Sequence, residues 1–386
     1  MQSLETFAAE KLASLEAKHL RRVLIDTTRE DGIWMMRGGK KLLSFSCNDY
    51  LNLSQHTLVK EAAIAAIKEF GVGAGASRLI TGNHPLFSRL EARLANLKGT
   101  EAACVFGSGY LANTGIIPTF AGKNDLILVD ELSHACILTG ADVAGAKTLT
   151  FRHNNLDHLT QLLKENREKH KRTLIATDGV FSMDGDLAPL PELGDIARKF
   201  DAWLLSDDAH GIGVVGAGRG SSYAHSTKAD VPLQMGTLSK AIGGYGGYIC
   251  ASAAVINLIK TRARTLIYST GLPPASVAAA IAALDIIENE PDYAALPLQK
   301  AQAFTARAGL PAAVSPIVPV VIGDAEKALA ASQILEAEGY LVTAIRPPTV
   351  APGTARLRIT FTAAHADADI DKLADIVRSR ILASQS

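Results

Sequence analysis

Lys240 is the only charged residue between Val231 and Ile259, and its neighbours are apolar, small or neutral. A lysine in such surroundings loses the solvation of its ammonium group, which favours the neutral amine. A neutral amine is a nucleophile that can form a Schiff base with a carbonyl compound. The alternative for this stretch alone is a glycine-rich surface turn that keeps the lysine head in water.

Two carboxylates and an imidazole, Asp207, Asp208 and His210, follow the apolar run 202–206. In an open α/β sheet, ligands bind at the carboxyl ends of strands. The three groups could form a metal site, a solvated turn, or a cofactor site in which Asp207 faces a cationic ring nitrogen with His210 beside it. An aspartate 33 residues before an isolated lysine, each at a strand end, suits pyridoxal phosphate. The lysine binds the aldehyde, and the carboxylate keeps the pyridine nitrogen protonated.

The glycine pattern after the same run could instead form a dinucleotide-binding site. Residues 211–216 match G-x-G-x-x-G and follow a predicted strand, as in a dinucleotide-binding fingerprint. Residues 217–222 are too rich in glycine and serine to form the helix whose N-terminus would bind the pyrophosphate. An NAD-dependent oxidoreductase remains an alternative, although the segment that follows argues against it.

A second glycine-rich turn, residues 107–113, joins an apolar strand to a predicted helix. Free backbone N–H groups at a helix start favour an anion, so Gly109 and Tyr110 are candidate phosphate ligands. Thr237, three residues before Lys240, could add a hydroxyl to the same phosphate. The alternative is a strand-to-helix turn in which the glycines only give the backbone the freedom to turn and bind no ligand.

His134 and Ser182 follow two further predicted strands. A lone histidine is more often a hydrogen-bonded structural residue, yet an imidazole at a strand end could stack on a flat cofactor. Ser182 lies in the segment 179–186, whose aspartates lack the spacing of a calcium loop. Ser182 is therefore the candidate site residue in that segment.

Arg356 and Arg358 lie on the same side of a predicted strand, because side chains along a strand alternate with period two. An arginine on an edge strand is usually solvated. At a cofactor site, however, a guanidinium group is suited to clamp a substrate carboxylate. The strand is therefore a candidate for binding an amino-acid substrate.

Seven short apolar runs alternate with helical segments and predict the framework that positions these residues. Runs of nearly continuous hydrophobicity are typical of a mainly parallel sheet that is covered on both faces. The runs are 102–106, 126–129, 148–151, 173–176, 202–206, 233–235 and 247–251. We expect an N-terminal helical segment at 1–48, with a polar helix at 5–22 and a strand at 41–45, and a large domain at 49–288. A smaller α+β domain is expected at 289–386.

The composition excludes several classes of protein. The chain of 386 residues has 39 Lys and Arg against 39 Asp and Glu, so no net field attracts nucleic acid or an anionic membrane. The four cysteines are far apart, which argues against a disulfide framework or a zinc site. The N-terminus lacks an apolar signal-peptide core, and the alanine-rich run 276–287 is too short to span a bilayer. We expect a soluble cytoplasmic protein.

Five motifs occur together in one order along the chain. They are LSHA at 132–135, GVFSMDG at 179–185, DDAHG at 207–211, GTLSK at 236–240 and YSTGLPP at 268–274. In this combination the sequence resembles the α-oxoamine synthases from about Arg21 to the C-terminus. The resemblance implies the aspartate-aminotransferase fold (fold type I), an α/β architecture with a mainly parallel seven-stranded sheet. It also implies bound pyridoxal 5'-phosphate and a homodimer with active sites between the subunits.

The resemblance also implies an acyltransferase that condenses an amino acid with an acyl thioester and releases carbon dioxide. Residues 344–350 and 353–358 are most similar to the branch that uses L-alanine and a pimeloyl thioester in biotin synthesis. Coenzyme A and a carrier protein both remain open as the acyl carrier. The alternative within the family is a relative that uses glycine or serine with another acyl-CoA, such as glycine C-acetyltransferase. A non-catalytic cofactor-binding protein of the same fold is a further alternative.

Individual roles follow from the match to the family's motifs. Lys240 would form the Schiff base, Asp207 would pair with the pyridinium nitrogen, and His134 would stack on the ring. With His210 these are the predicted catalytic residues, and no metal is expected. The other predicted cofactor contacts are His210 and Ser182 at the ring hydroxyl, Gly109, Tyr110 and Thr237 at the phosphate and, from the second subunit, Thr270. The predicted substrate contacts are Arg358, at the carboxylate, with Asn48, Thr349 and Arg21 or its neighbour Arg22.

Overall fold

The computed structural model of the chain describes residues 2–17 and 20–383. Within them the strands are β1 Thr27–Asp31, β2 Trp34–Arg37, β3 Lys40–Ser44, β4 Ala102–Phe106, β5 Leu126–Asp130, β6 Lys147–Phe151, β7 Thr173–Asp178, β8 Trp203–Asp207, β9 Leu233–Thr237, β10 Gly247–Ala251, β11 Ile317–Gly323, β12 Tyr340–Leu341, β13 Thr343–Ile345 and β14 Ala355–Thr360. The helices are α1 Gln2–Ala17, α2 Thr57–Phe70, α3 Pro85–Lys98, α4 Gly109–Phe120, α5 Ala135–Ala144, α6 Leu156–Asn166, α7 Leu190–Lys199, α8 Ala253–Arg262, α9 Arg264–Ile267, α10 Pro274–Asn289, α11 Pro291–Ala308, α12 Ala325–Ala337 and α13 Asp367–Ile376.

The seven apolar runs form one sheet in the order β4-β10-β9-β8-β7-β5-β6. The strands from β9 to β6 run parallel to their neighbours, whereas β10 lies antiparallel to both β9 and β4. The predicted mainly parallel seven-stranded sheet is confirmed. Strands β8 and β9 are adjacent, with Asp207 opposite Met235. The strand ends that precede His210 and Lys240 therefore lie at the same edge of the sheet.

Both faces of this sheet are buried, as the side chains of β4 illustrate. Ala103 and Val105 pack in a core that includes α3 and α10. Cys104 and Phe106 point to the opposite face and pack in a core that includes α4 and α5. A strand covered on both faces buries successive residues, which explains why the runs are continuously apolar.

The N-terminal helix is shorter than expected. Helix α1 ends at Ala17, and none of its residues is buried. The Leu20 amide donates to the Leu15 carbonyl at 2.8 Å, a bond that closes a helix end instead of extending the helix. The predicted helix at 5–22 is therefore too long. Its residues 18 and 19 lie outside the described part of the chain, and residues 20–26 are not helical.

The expectation of a helical segment at 1–48 also missed strands β1 and β2, whereas the strand predicted at 41–45 is confirmed as β3. Strands β1, β2 and β3 form an antiparallel sheet, and β3 pairs in parallel with β12 near the C-terminus. Gly38 and Gly39 form the tight turn between β2 and β3, both with positive φ, a conformation that glycine adopts without strain. Phe45, just after β3, packs in the same core as Phe361. These strands thus carry Asn48 towards the C-terminal module.

The C-terminal module has the predicted α+β character. Strands β11, β14 and β13 form an antiparallel sheet with β14 in the centre, so Arg356 and Arg358 do not lie on an edge strand. Helices α11, α12 and α13 pack against it in a core of their own. This separate core supports a division into domains at 49–288 and 289–386, which we propose with β1, β2 and β3 packed on the smaller domain.

None of the helices within residues 2–17 and 20–383 combines the length and the apolar character that crossing a bilayer requires. The alanine-rich run lies in α10, a helix of 16 residues. Its apolar side chains pack in the core beneath the large sheet together with those of α2 and α3. The apolar character of this run is therefore explained by packing inside the domain.

Candidate active site

One cavity at the carboxyl ends of β7, β8 and β9 brings seven of the predicted site residues together. The start of α4 and the residues before α5 complete its walls. In an open α/β sheet this edge is where ligands bind. The residues that line the cavity are the predicted Gly109, Tyr110, His134, Asp207, His210, Thr237 and Lys240, together with Cys136, Asp178, Ala209 and Met235.

The amine of Lys240 lies in this cavity rather than at the end of a solvated surface turn. Its Nζ is 2.6 Å from Nε2 of His210. Burial lowers the pKa of Lys240 to about 8, although the carboxylates of Asp207 and Asp178 act in the opposite direction. A lysine with this pKa has a substantial neutral fraction in mildly alkaline solution, so it can act as a nucleophile and as a base.

Two hydrogen bonds fix the carboxylate of Asp207, the last residue of β8. Asn113 Nδ2 donates to Oδ2 at 2.7 Å, and the Ala209 amide donates to Oδ1 at 2.9 Å. The aspartate is buried and still lines the cavity. A carboxylate held in this way is suited to accept a hydrogen bond from a cationic N–H group of a ligand.

Asp178 lies beside Asp207, because β7 and β8 are parallel neighbours with these two residues in register. Its Oδ1 accepts a hydrogen bond from the His134 amide at 3.1 Å. Burial and the nearby charge of Asp207 raise the pKa of Asp178 well above its usual value. Two adjacent carboxylates do not both ionise easily away from water, so Asp178 is the one that favours the protonated form.

His134 stands at the start of α5, where its ring is held against the cavity wall. Its Nδ1 accepts a hydrogen bond from the Cys136 amide at 3.2 Å and so caps the helix. Burial lowers the pKa of His134, which favours the neutral imidazole. A neutral flat ring in this position can lie against a planar ligand, as the sequence predicts.

The N-terminus of α4 opens into the same cavity. Ser108 caps the helix, and its Oγ accepts a hydrogen bond from the Leu111 amide at 3.1 Å. The amides of Gly109 and Tyr110 lie in the first turn, where a helix offers no internal acceptor, so they can bind an anion. A Cβ atom at Gly109 would lie 3.2 Å from Cε of Met235, and a larger side chain would therefore press into the neighbouring strand.

Thr237 lines the cavity, but its hydroxyl group is engaged by the backbone. Oγ1 donates to the Gly246 carbonyl at 2.7 Å and accepts from the Ser239 amide at 3.2 Å. These bonds brace the turn that leads to Lys240. In this geometry the hydroxyl hydrogen is used within the protein and does not point to a phosphate group.

The groups in this cavity fit pyridoxal phosphate. A lysine amine with a lowered pKa suits the aldehyde, and a fixed carboxylate suits the protonated ring nitrogen. The free amides at the start of α4 suit the phosphate. Lys240, Asp207 and Gly109 supply these three features from three different elements, and all of them line one cavity.

Arg358 holds two predicted contacts in place at one side of the site. Its Nε donates to the Ser182 carbonyl at 2.5 Å, and both terminal nitrogens donate to Oδ1 of Asn48 at 3.2 Å. Arg358 is buried, and a buried guanidinium with a single neutral oxygen on its fork keeps the capacity to bind a carboxylate. Ser182 contributes a backbone oxygen here, and its side chain does not line the cavity.

Three further predicted residues do not line the cavity of their own chain. Arg21 is exposed and pairs with Glu16 at 2.7 Å. Thr349 is exposed, and its amide donates to the Arg346 carbonyl. Thr270, which was expected to act from a second subunit, is exposed and forms an isolated bridge with Ser77.

The alternative interpretations of the strand end after β8 do not fit the geometry. Asp208 Oδ2 accepts from Lys98 Nζ at 2.6 Å, and Oδ1 accepts from the Ser221 amide at 2.9 Å. It therefore does not converge with Asp207 and His210 as a metal ligand would. Residues 211–216 form turns, and residues 217–220 that follow them are not helical, so the dinucleotide site lacks its pyrophosphate-binding helix.

The sequence did not identify the residues that orient the predicted ones. Asn113 fixes Asp207, Tyr50 contacts His210, and Asp178 and Cys136 form part of the cavity wall. One signal was available for Asn113. It lies four residues after Gly109, so the two occupy the same face of α4, and a residue on that face is placed to reach the site.

Comparisons with known proteins agree with this geometry. The aminotransferase class I and II family matches residues 40–377. The 8-amino-7-oxononanoate synthase of Beijerinckia indica is 61% identical over 377 residues, which cover 98% of each chain. The 8-amino-7-oxononanoate synthase of Methylocella silvestris is 64% identical over 344 residues, 89% of this chain and 98% of that protein. The solved structure of Sphingomonas wittichii serine palmitoyltransferase has a TM-score of 0.90 at 30% identity and covers 99% of this chain and 98% of its own.

Proposed function

Because this chain belongs to the class I and II aminotransferase family and, within it, to the α-oxoamine synthases, we propose that it joins L-alanine to a pimeloyl thioester. The reaction forms 8-amino-7-oxononanoate, carbon dioxide and a free thiol, a step of biotin synthesis. The protein is an acyltransferase, with identities of 61% and 64% to 8-amino-7-oxononanoate synthases over most of its length. The observation that carries the proposal is the meeting of the Lys240 amine and the Asp207 carboxylate in one cavity.

Pyridoxal 5'-phosphate is the cofactor of this family, and the cavity residues divide its binding among them. When bound, it supplies an aldehyde that combines with amines and a ring that takes up the electron pair released at the substrate Cα. The amides of Gly109 and Tyr110 would bind the phosphate. Asp207 would bind the ring nitrogen, and His134 would lie against the ring. Lys240 would hold the aldehyde through its Nζ.

Lys240 acts next as the base. Its Nζ would remove the Cα proton of alanine and later return a proton to the product carbon. The pKa of about 8 allows this amine both to accept and to give a proton under mild conditions. His210 Nε2, 2.6 Å from Nζ, keeps the amine directed into the cavity.

Asp207 holds the proton of the ring nitrogen. An ionised carboxylate accepts this N–H in a charge-assisted hydrogen bond, which is stronger than a neutral one. Asn113 and the Ala209 amide occupy other lone pairs of the same carboxylate and prevent its rotation. With its carboxylate fixed in this way, Asp207 would keep the ring nitrogen of the cofactor protonated.

Arg358 binds the carboxylate of alanine and so selects an amino acid over an amine. Its two terminal nitrogens, which share Oδ1 of Asn48 in this structure, present the parallel donors that a carboxylate fits. Binding there places the Cα proton of alanine within reach of the Lys240 amine. Arg358 also joins β14 of the small domain to the Ser182 carbonyl in the loop after β7.

We further propose a homodimer that shares its active sites and works in the cytoplasm. Support comes from apolar side chains that one chain leaves in water. Val72, Ile80 and Tyr268 are 74% to 80% exposed, their two loops are joined by the Ser77–Thr270 bridge, and an exposed apolar patch marks a contact with another protein. Thr270 also lies outside the cavity of its own chain, as a residue that serves a second subunit would.

The proposal is tested by supplying the purified protein and pyridoxal phosphate with L-alanine and pimeloyl-CoA, and separately with a pimeloyl carrier protein. We expect release of free thiol and a product with the mass of 8-amino-7-oxononanoate. Glycine with acetyl-CoA is the matched control for the related branch. Turnover of glycine and acetyl-CoA without any turnover of alanine would overturn the assignment.

A further inference from the structure

Tyr50 has no role in the function described so far, although its hydroxyl contacts the ring of His210. Tyr50 is 0% exposed, and its Oη lies 2.7 Å from Nδ1 of His210. On the other side of the ring, Nε2 lies 2.6 Å from Nζ of Lys240. Both nitrogens of the imidazole are therefore engaged, one by a phenol and the other by the amine of the site.

Counting hydrogens assigns a direction to these contacts. Burial lowers the pKa of His210 well below its usual value, and the positive charges of Lys240 and Arg358 act in the same direction. A neutral imidazole has one N–H donor and one acceptor nitrogen, and an ammonium group is only a donor. Nε2 must therefore accept from the charged Lys240, and Nδ1 must carry the hydrogen. The Tyr50 oxygen is the atom placed to accept it.

The hydroxyl hydrogen of Tyr50 also has an acceptor within reach. Tyr50 Oη lies 3.5 Å from Oδ1 of Asn48, the oxygen that accepts from both terminal nitrogens of Arg358. Tyr50 can thus accept from His210 while its own hydrogen points towards Asn48. In the series Lys240, His210, Tyr50 and Asn48, each group then donates a hydrogen bond to the next. No two donors or two acceptors face each other.

We propose that Tyr50 is a positioning residue for the reaction: its hydroxyl fixes His210 as the Nδ1–H tautomer and so holds Nε2 as the acceptor for the Lys240 amine. This inference deepens the proposed function and rests on it for the role of Lys240. A fixed acceptor keeps the amine in one orientation between its two proton transfers. Without the phenol, the Nδ1–H group would be buried without a partner, which is costly, and the tautomer would no longer be defined.

The tautomer is tested in the full-length, cofactor-free protein by nitrogen-15 NMR of labelled histidine at about pH 6.5, where Lys240 is charged. We expect His210 to show a protonated Nδ1 and an unprotonated Nε2. In Tyr50→Phe, which keeps the ring and removes only the hydroxyl, we expect this pattern to be lost. Tyr248→Phe is the matched control, because Tyr248 is equally buried but its hydroxyl has no hydrogen-bond partner among residues 2–17 and 20–383. A protonated Nε2 in the wild type, or an unchanged pattern in Tyr50→Phe, overturns the proposal.

A kinetic cycle tests whether Tyr50 acts through His210. We expect Tyr50→Phe to lower kcat about tenfold, the loss that corresponds to about 1.4 kcal/mol, and Tyr248→Phe to leave it unchanged. In a His210→Asn background, Tyr50→Phe should have little further effect, because the group that it positions is already absent. An equal loss in both backgrounds overturns the proposal. A wild type without synthase activity would contradict the proposed function, whereas the NMR result would still decide the tautomer.

Discussion

Lys98 Nζ lies 2.6 Å from Oδ2 of Asp208, and the two side chains are only 1% and 2% exposed. The lysine also donates to the Arg219 carbonyl at 2.7 Å, and Oδ1 of the aspartate accepts from the Ser221 amide at 2.9 Å. Asp208 directly follows Asp207 in the chain. This buried ion pair therefore anchors the backbone from which the carboxylate of the cofactor site projects.

Lys98→Met should destabilise the protein strongly, because it leaves the charge of the buried Asp208 carboxylate without its cationic partner. Breaking a buried pair in this way costs about 3–5 kcal/mol, so we expect a marked decrease in the urea midpoint of unfolding. Lys40→Met is the matched control, since Lys40 pairs with Glu336 at 2.6 Å at the surface, where pairs contribute less than about 1 kcal/mol. Similar losses in the two variants would contradict the prediction.

The sheet and most of the cavity residues could be predicted because their signals are local. Each strand is an apolar run, and polar residues such as His134 and Asp207 stand at the carboxyl ends, which a parallel sheet places at one edge. The uncharged surroundings of Lys240 made it a candidate, and the carboxylates and imidazole at 207–210 favoured a cofactor site over a surface turn. The motif match then added Arg358, which no periodic pattern would distinguish from its neighbour Arg356.

The partners of these residues could not be predicted, because their contacts join distant parts of the chain. Asn113 and Asp207 are 94 positions apart, and Lys98 and Asp208 are 110 apart. No period or motif within one segment encodes a contact over such a separation. Strands β1 and β2 were missed for a related reason. They are joined through β3 to β12, near the opposite end of the chain, and their own sequence is weakly apolar.

The capture of pyridoxal phosphate by the cofactor-free protein should depend on the protonation of Lys240. Desolvation lowers the pKa of this lysine from 10.5 to about 8, and only the neutral amine attacks an aldehyde. The second-order rate constant should therefore rise with pH and level off above about pH 8. Stopped-flow absorbance measures it, with Lys240→Ala as the control that should show no such phase. A rate that levels off only near the pKa of an ordinary lysine would contradict the lowered value.

Asn113→Asp should weaken binding of pyridoxal phosphate, because it places a second carboxyl group against Asp207 at 2.7 Å. Two carboxylates in contact share a proton, which reduces the negative charge available to the ring nitrogen. We expect the dissociation constant, measured by absorbance titration, to rise at least about tenfold, or about 1.4 kcal/mol. Asn166→Asp makes the same chemical change at a buried site on α6, and its affinity should stay unchanged. Equal affinities in the two variants would refute a role for Asn113.

His365 predicts that the free energy of unfolding falls as the pH falls. Its ring stacks on Phe45 with centroids 3.9 Å apart. The Thr362 amide donates to Nδ1 at 2.9 Å, and Nε2 lies 3.1 Å from the Ser44 carbonyl, to which it donates. These contacts use the neutral ring, and burial lowers the pKa of His365 to about 3. An unfolded histidine titrates near pH 6.5, so the unfolded chain binds the extra proton between these two values.

The stability contributed by neutral His365 is complete above about pH 6.5 and is lost progressively as the pH falls towards 3. His365→Gln cannot titrate and keeps a similar set of donors and acceptors. We expect the difference in unfolding free energy between wild type and variant, measured with urea, to change by up to about 1.4 kcal/mol per pH unit below 6.5. A difference that is constant between about pH 7 and 5 would show that His365 does not titrate in this way.

His153 should behave in the opposite sense. Nδ1 donates to Asp130 Oδ1 at 3.0 Å and Nε2 donates to Asp186 Oδ2 at 2.8 Å, and two N–H donors require the imidazolium form. Burial alone would lower the pKa of His153, but the hydrogen bonds to these two carboxylates raise it to about 10. The folded protein therefore binds one more proton than the unfolded chain between about pH 6.5 and 10.

The stabilisation by His153 is thus complete below about pH 6.5 and disappears as the pH rises through its folded pKa of about 10. His153→Gln should lower the unfolding free energy most at about pH 6 and progressively less towards pH 9.5, as urea denaturation at a series of pH values would measure. Because Asp186 is 38% exposed, water screens part of the interaction and the effect is smaller than for a fully buried pair. His365→Gln is the control, since its own effect should not vary between about pH 7.5 and 9.5. A penalty for His153→Gln that stays constant or grows with pH would contradict the charged form, and with it the bridge between β5 and the loop after β7.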